Sequence, residues 1–104
     1  MKGYKIEITE RAIMDIKGVA SYIARELLEP KTAEKMLEKF EDGIASLAQM
    51  PSRNSLVRDE ELAHKGIRRL FVDNYVIFYI IEERESKVTV VRLLYGKRDW
   101  LNLI

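Results

Sequence analysis

The side chains best suited to chemistry in this chain are basic. Lys97 and Arg98 follow Gly96 in "LLYGKRDW", where the apolar β-branched run "VTVVRLLY" gives out; Arg92 interrupts that run, and Arg68 and Arg69 are adjacent in "IRRLFV". Clustered cations can stabilise charge developing on a phosphorus centre, or they can receive the carboxylates of a protein partner. Acid–base catalysis beside such cations needs more: a group that takes a proton and one that gives it back. Tyr95 and His64 are the residues available for proton transfer. His64 sits in a charged loop and reads as a surface histidine, and an aromatic at a strand end, such as Tyr95, ordinarily packs against the sheet. Trp100 completes the stretch, and tryptophan and arginine are enriched at binding hot spots.

Other chemistries are limited by what the chain lacks. It has no cysteine and one histidine, so thiolate clusters, disulfides, a zinc site and a histidine-dependent triad are not expected. No metal or cofactor is therefore anticipated, and a reducing cytoplasm is the natural compartment. The start, "MKGYKIEITE", alternates polar and apolar residues and contains no apolar core of a signal peptide; no run is long enough for a membrane span. Net charge is only +1 from 18 basic and 17 acidic residues, which argues against bulk, nonspecific nucleic-acid binding. The C-terminal half nonetheless concentrates Lys65, Arg68, Arg69, Arg92, Lys97 and Arg98, enough for a local basic patch.

These cations must be positioned by a small scaffold. A chain of 104 residues with 47% apolar and 34% charged residues is one ordinary globular domain, 1–104. "YKIEIT" alternates as a half-buried strand, and Thr9 is placed to cap a helix. Ile13, Ile16, Ala20, Ile23 and Leu27 then recur as one stripe, leaving Arg11, Asp15, Lys17 and Arg25 on the polar face of a helix ending near Leu28. Pro30 suits the first turn of a second helix, with Ala33, Met36, Leu37, Phe40, Ile44 and Leu47 as its stripe and Pro51 as its stop. "PSRNSLVRDEELAHKG" reads as a long irregular stretch. Three strands follow, "IRRLFV", "YVIFYIIE" and "VTVVRLLY", joined by "DN" and "ERESK".

The order strand, two helices, three strands predicts an α+β fold of β-α-α-β-β-β type: a helical hairpin on one face of a mostly antiparallel four-stranded sheet. Along the central strand Tyr75, Ile77, Tyr79 and Ile81 project to one face, and Val76, Phe78 and Ile80 to the other. If the helices cover only one face, the second is expected to be partly exposed and to invite a partner. Adjacent on a strand, Arg68 and Arg69 should point to opposite faces, one of them structural and paired with a carboxylate such as Asp73 or Glu82. Arg92 should lie opposite Val91, Leu93 and Tyr95 and form a cationic strip with Arg68 or Arg69. Gly96 would let the backbone leave the sheet through a positive φ or a bulge, displaying Lys97 and Arg98.

The order of elements, the pair "IRRLFVDNYVIFYIIE" and the ending "VRLLYGKRDW" resemble the RelE/ParE superfamily of type II toxins, in its ParE-like, plasmid-stabilisation branch. That resemblance runs from Tyr4 to Trp100 and implies a growth-inhibiting toxin restrained by a cognate antitoxin, with Arg68, Arg69, Arg92, Lys97, Arg98 and Trp100 as the partner-binding residues. ParE-like members are associated with inhibition of DNA gyrase by binding. The alternative is a RelE-like, ribosome-dependent and metal-independent mRNA endonuclease, for which Arg98, Tyr95 and Arg69 would be the catalytic set. Against it, only Arg98 falls on a basic residue used by such nucleases; their other arginine falls on Val76, and their C-terminal tyrosine near Ile104. A third reading is a non-toxic homologue that keeps only antitoxin binding and autoregulation. A homodimer is left open.

Overall fold

A computed structural model describes residues 3–96. Strand β1 spans Lys5–Ile8, helix α1 Glu10–Ser21, helix α2 Pro30–Ser46, a short helix α3 Glu60–His64, and strands β2, β3 and β4 Arg68–Val72, Tyr75–Glu82 and Lys87–Tyr95. The sheet order is β1-β4-β3-β2. β1 runs parallel to β4, while β4, β3 and β2 form an antiparallel meander. This is the expected α+β arrangement, with one helix more than the hairpin.

Two apolar layers hold the sheet between them. On one face Ile77, Tyr79, Val88, Val90 and Leu93 pack against Ala12, Ile23, Phe40 and Ile44 of the helical side. On the other, Val76, Phe78 and Leu94 pack against Val57, Leu62 and Ile67. The parity expected along β3 therefore holds, but the second face is not left for a partner: the 55–67 segment, read from sequence as irregular, lies over it. Asp59 caps α3 by accepting from the Leu62 N–H at 3.0 Å, and that single turn exists to drive Leu62, 2% exposed, onto the sheet.

The start of α1 follows from sequence as well. Thr9 Oγ1 accepts from the Ala12 N–H at 3.1 Å and donates to the Val91 carbonyl at 3.1 Å, so one hydroxyl caps the helix and fastens it to β4. The buried stripe of α1 differs from the expected one. Ala12 and Ile23 are buried, with Ile16 and Val19 packed against the same core, whereas Ile13 and Leu27 are 39% and 50% exposed. The helical path runs on as a π-helical turn over Tyr22–Glu26 and stops at Leu28, which adopts a left-handed φ of 55°. Pro30 opens α2 as expected.

One irregularity in β4 decides where its side chains go. Phe78 pairs with Arg92, but Tyr79 pairs with Val90, so Val91 is an extra residue, a β-bulge. A bulge breaks the two-residue alternation and re-aims the side chains beyond it. Val88, Val90 and then Leu93 thus share the helical face, while Val91 and Leu94 belong to the other layer. Simple alternation, which groups Val91, Leu93 and Tyr95, fails at this point.

Candidate functional site: a groove at the end of strand β4

Beyond Ile8 the strand β1 has ended, and the last half of β4 would be a bare sheet edge. Helix α1 covers it. Asp15 Oδ2 accepts from Arg92 Nε at 2.8 Å and from the Leu93 backbone N–H at 3.0 Å, and Oδ1 accepts from Arg92 Nη2 at 2.9 Å. The two side chains are only 11% and 14% exposed. A bidentate fork of this kind is among the stronger polar contacts a protein makes, and the carboxylate holds the guanidinium above its ordinary pKa. Asp15, expected on the solvated face of α1, is therefore the residue that docks the helix to the strand. An arginine alone in an apolar strand was the signal that such a carboxylate had to exist.

Around this pair lies a groove of about 680 Å³, lined from α1 by Met14 and Gly18, from the π-helical turn by Tyr22, and from the sheet by Tyr75, Arg92 and Tyr95. Tyr75 and Tyr95 are cross-strand partners, their rings 5.7 Å apart edge to face, and Phe40 supports Tyr75 from beneath at 5.4 Å. Burial, followed by the neighbouring phenols of Tyr95 and Tyr22, pushes the Tyr75 pKa up. A phenol so placed keeps its proton at neutral pH and serves as a donor and an aromatic wall, not as a base. Tyr22 is 56% and Tyr95 40% exposed, so both present aromatic surface at the mouth. Neither Tyr22 nor Tyr75 was singled out from the sequence, because only the fold brings them beside Tyr95.

The other candidates fall elsewhere. Arg68 donates from Nη1 to the carbonyls of Ser52 and Asn54, at 3.3 and 2.6 Å; it is the structural member of its pair, but it holds backbone carbonyls instead of a carboxylate. Asp73 pairs with Lys39 at 2.9 Å, and Glu82 with Lys87 at 3.1 Å. Arg69 lies opposite Phe78 on the face away from the helices, its guanidinium 5.4 Å from the Phe71 ring centre. Among the described residues it has no carboxylate partner, and Phe71 beside it is 58% exposed. Arg69 and Arg92 flank Phe78 in one cross-strand row, yet Arg92 is bound to Asp15 and Arg68 points to the other face. A strip of three available cations does not form. Nor do Arg69 and Tyr95 meet, since Tyr95 packs on Tyr75 at the helical face.

His64 is exposed at the end of α3. Gly96 does not adopt a left-handed φ; its N–H bonds the Asn74 carbonyl at 2.8 Å, and a Cβ there would come within 3.2 Å of the same oxygen. Close approach is thus what suits glycine to the position. Lys97, Arg98 and Trp100 lie outside the described residues. Among the described residues no group of His, Cys, Asp or Glu is arranged to hold a metal ion, and no helix is long and apolar enough to cross a membrane.

The sheet backed by a helical hairpin is a RelE/ParE-like fold, shared with solved ParDE and RelBE structures. A chain of the chromosomal ParDE TA system from P. aeruginosa superposes with a TM-score of 0.74 at 14% identity, covering 90% of this chain and 97% of that one. Chains of the RelBE2 complex of Mycobacterium tuberculosis (TM-score 0.63, 20% identity, 91% and 93% covered) and of the E. coli RelBE complex (0.61, 14%, 91% and 99%) share the fold. No curated protein matches the chain in sequence. The family model for the ParE toxin of the type II toxin–antitoxin system parDE matches residues 6–100. The chain belongs to the ParE toxin family.

Proposed function

We propose that this chain is a toxin sequestered by a cognate antitoxin, and that the freed protein acts in the cytoplasm by binding DNA gyrase, not by cutting RNA. The observation that carries the reading is the capture of Arg92: its Nε and Nη2 donate to the Asp15 carboxylate, which offsets the positive charge that a phosphorane in the groove would need. Tyr75, its phenol held protonated by burial, supplies no base. What the groove does offer is aromatic area and a rim, which suits recognition of a protein surface. Relatives of similar fold include crystal structures of toxin–antitoxin complexes, which supports an antitoxin partner.

The second reading, a metal-independent, ribosome-dependent endonuclease, draws support from the gathering of Tyr22, Tyr75 and Tyr95 around one groove, with Lys97 and Arg98 close behind Tyr95 in sequence. Two assays with purified protein separate the readings. Binding predicts inhibition of gyrase supercoiling and intact transcripts on programmed ribosomes. Ribosome-dependent cleavage that disappears in Arg98→Ala would reject the gyrase reading. Inactivity in both assays, with tight antitoxin binding, would identify a non-toxic homologue.

A further inference from the structure

The outer edge of β1 carries the pattern of a self-pairing strand. Lys5 and Thr9 give their N–H groups to Ser86 and Val90 of the β4 side, at 2.8 and 3.1 Å, along a parallel register. Alternation therefore turns the backbone groups of Tyr4, Ile6 and Ile8 outward. The Tyr4 N–H is bound by the Ala48 carbonyl at 2.8 Å, but the N–H and C=O of Ile6 and the N–H of Ile8 have no partner among the described residues. Directly beside this edge is an apolar groove of about 450 Å³, formed by Ile6 and Ile8 with Leu37, Phe40 and Ile44, and among the described residues Glu41 is its one ionisable lining residue. An open edge next to an apolar slot is a template for an added strand.

We propose that the strand added there is β1 of a second copy, paired antiparallel about a two-fold axis at Ile6. The reason is the charge order Lys5-Ile6-Glu7, which is its own complement when reversed. Centred on Ile6, the pairing sets each Lys5 against Glu7 of the other copy, twice by symmetry, and Ile6 against Ile6, whose outward N–H and C=O groups then bond each other. Shifting to either neighbouring register that uses the outward groups places Lys5 against Lys5, or Glu7 against Glu7, and like charges directly opposite are destabilising. Lys5 has no ion pair among the described residues, and Glu7, 60% exposed, meets only Lys87 at 3.5 Å, so both side chains can take the new partners. The product is a continuous sheet through two copies, with the helical hairpins on the same side.

Light scattering or sedimentation of the purified chain from micromolar to millimolar concentration tests this. The mass should rise from 12.2 kDa toward twice that value. Lys5→Glu or Glu7→Lys alone should raise the dimer dissociation constant about tenfold or more, because each reversal converts two attractive pairs into repulsive ones. The double exchange Lys5→Glu with Glu7→Lys restores complementarity and should restore association. Urea unfolding of each variant separates loss of pairing from loss of fold. If Glu7→Lys unfolds through its contact with Lys87, Lys5→Glu carries the same test. A chain that stays monomeric throughout, single reversals that leave association unchanged, or a double exchange that fails to recover it each overturn the proposal.

Discussion

At the residue scale the fold turns on Asp15. One carboxylate satisfies a guanidinium and a strand-edge N–H that would otherwise be left in a poorly hydrated site. Removing it takes the carboxylate away from both, and a broken buried pair costs more than an absent one. Asp15→Ala should therefore lower stability by about 3 kcal/mol, read from the urea midpoint, while Asp15→Leu combined with Arg92→Met should be the milder change. Tyr79 makes a second prediction. It is 0% exposed, donates to the Pro51 carbonyl at 2.6 Å, and burial raises its pKa above the ordinary 10.0. The native state thus holds this proton more tightly than the unfolded chain. The stabilisation is fully present below about pH 10 and is lost as pH rises through the folded value. Tyr79→Phe should cost about 1 kcal/mol at neutral pH and flatten the alkaline loss of stability, with Tyr75, raised likewise, supplying part of what remains.

At the scale of elements, strands and caps were legible because their rules are local. Thr9, Pro30 and the alternation of β3 each act within a few residues, and the order of elements follows from them. The stripe of α1 was not. The patterns through Ile13 and through Ala12 share Ile16 and Ile23, and what chooses between them is Asp15 reaching the edge of β4, a contact across 78 positions. The bulge at Val91 was equally hidden: it leaves composition unchanged and appears only as a slip between two strands. α3 was missed because one capped turn is too short for periodicity to register. The stop after the π-helical turn offers a prediction at this scale. Leu28 is 78% exposed and holds a φ of 55°, a conformation that costs a side-chain-bearing residue about 1 kcal/mol and glycine almost nothing. Leu28→Gly should accordingly raise the thermal midpoint, whereas the same change at Val19, inside the helix and packed on the core, should lower it.

For the whole molecule, the coverage of both sheet faces moves the question of partners to edges and grooves. The apolar residues of β3 that suggested an exposed face are spent internally, and the remaining large apolar or aromatic exposures include Tyr22, Tyr95 and Met14 around one groove and Phe71 beside Arg69. Whether the groove binds or reacts can be asked of the phenols themselves, since the aromatic ring serves recognition and the hydroxyl serves proton transfer. Tyr22 is well exposed and Tyr95→Phe keeps the ring that packs on Tyr75, so substitution of Tyr22 or Tyr95→Phe should change stability by less than about 0.5 kcal/mol, whereas Tyr95→Ala also gives up the aromatic pair, about 0.5–1.5 kcal/mol. On the binding reading, Tyr95→Phe keeps growth inhibition near the unaltered level, and Tyr22→Ala with Tyr95→Ala weakens it by removing contact area at a site where aromatic side chains carry much of the affinity. Proton transfer reverses the first expectation: Tyr95→Phe alone would then abolish activity while the urea midpoint stays put. Growth inhibition by Tyr95→Phe, measured on expression without antitoxin and set against its unfolding curve, distinguishes a surface that grips from a site that cuts.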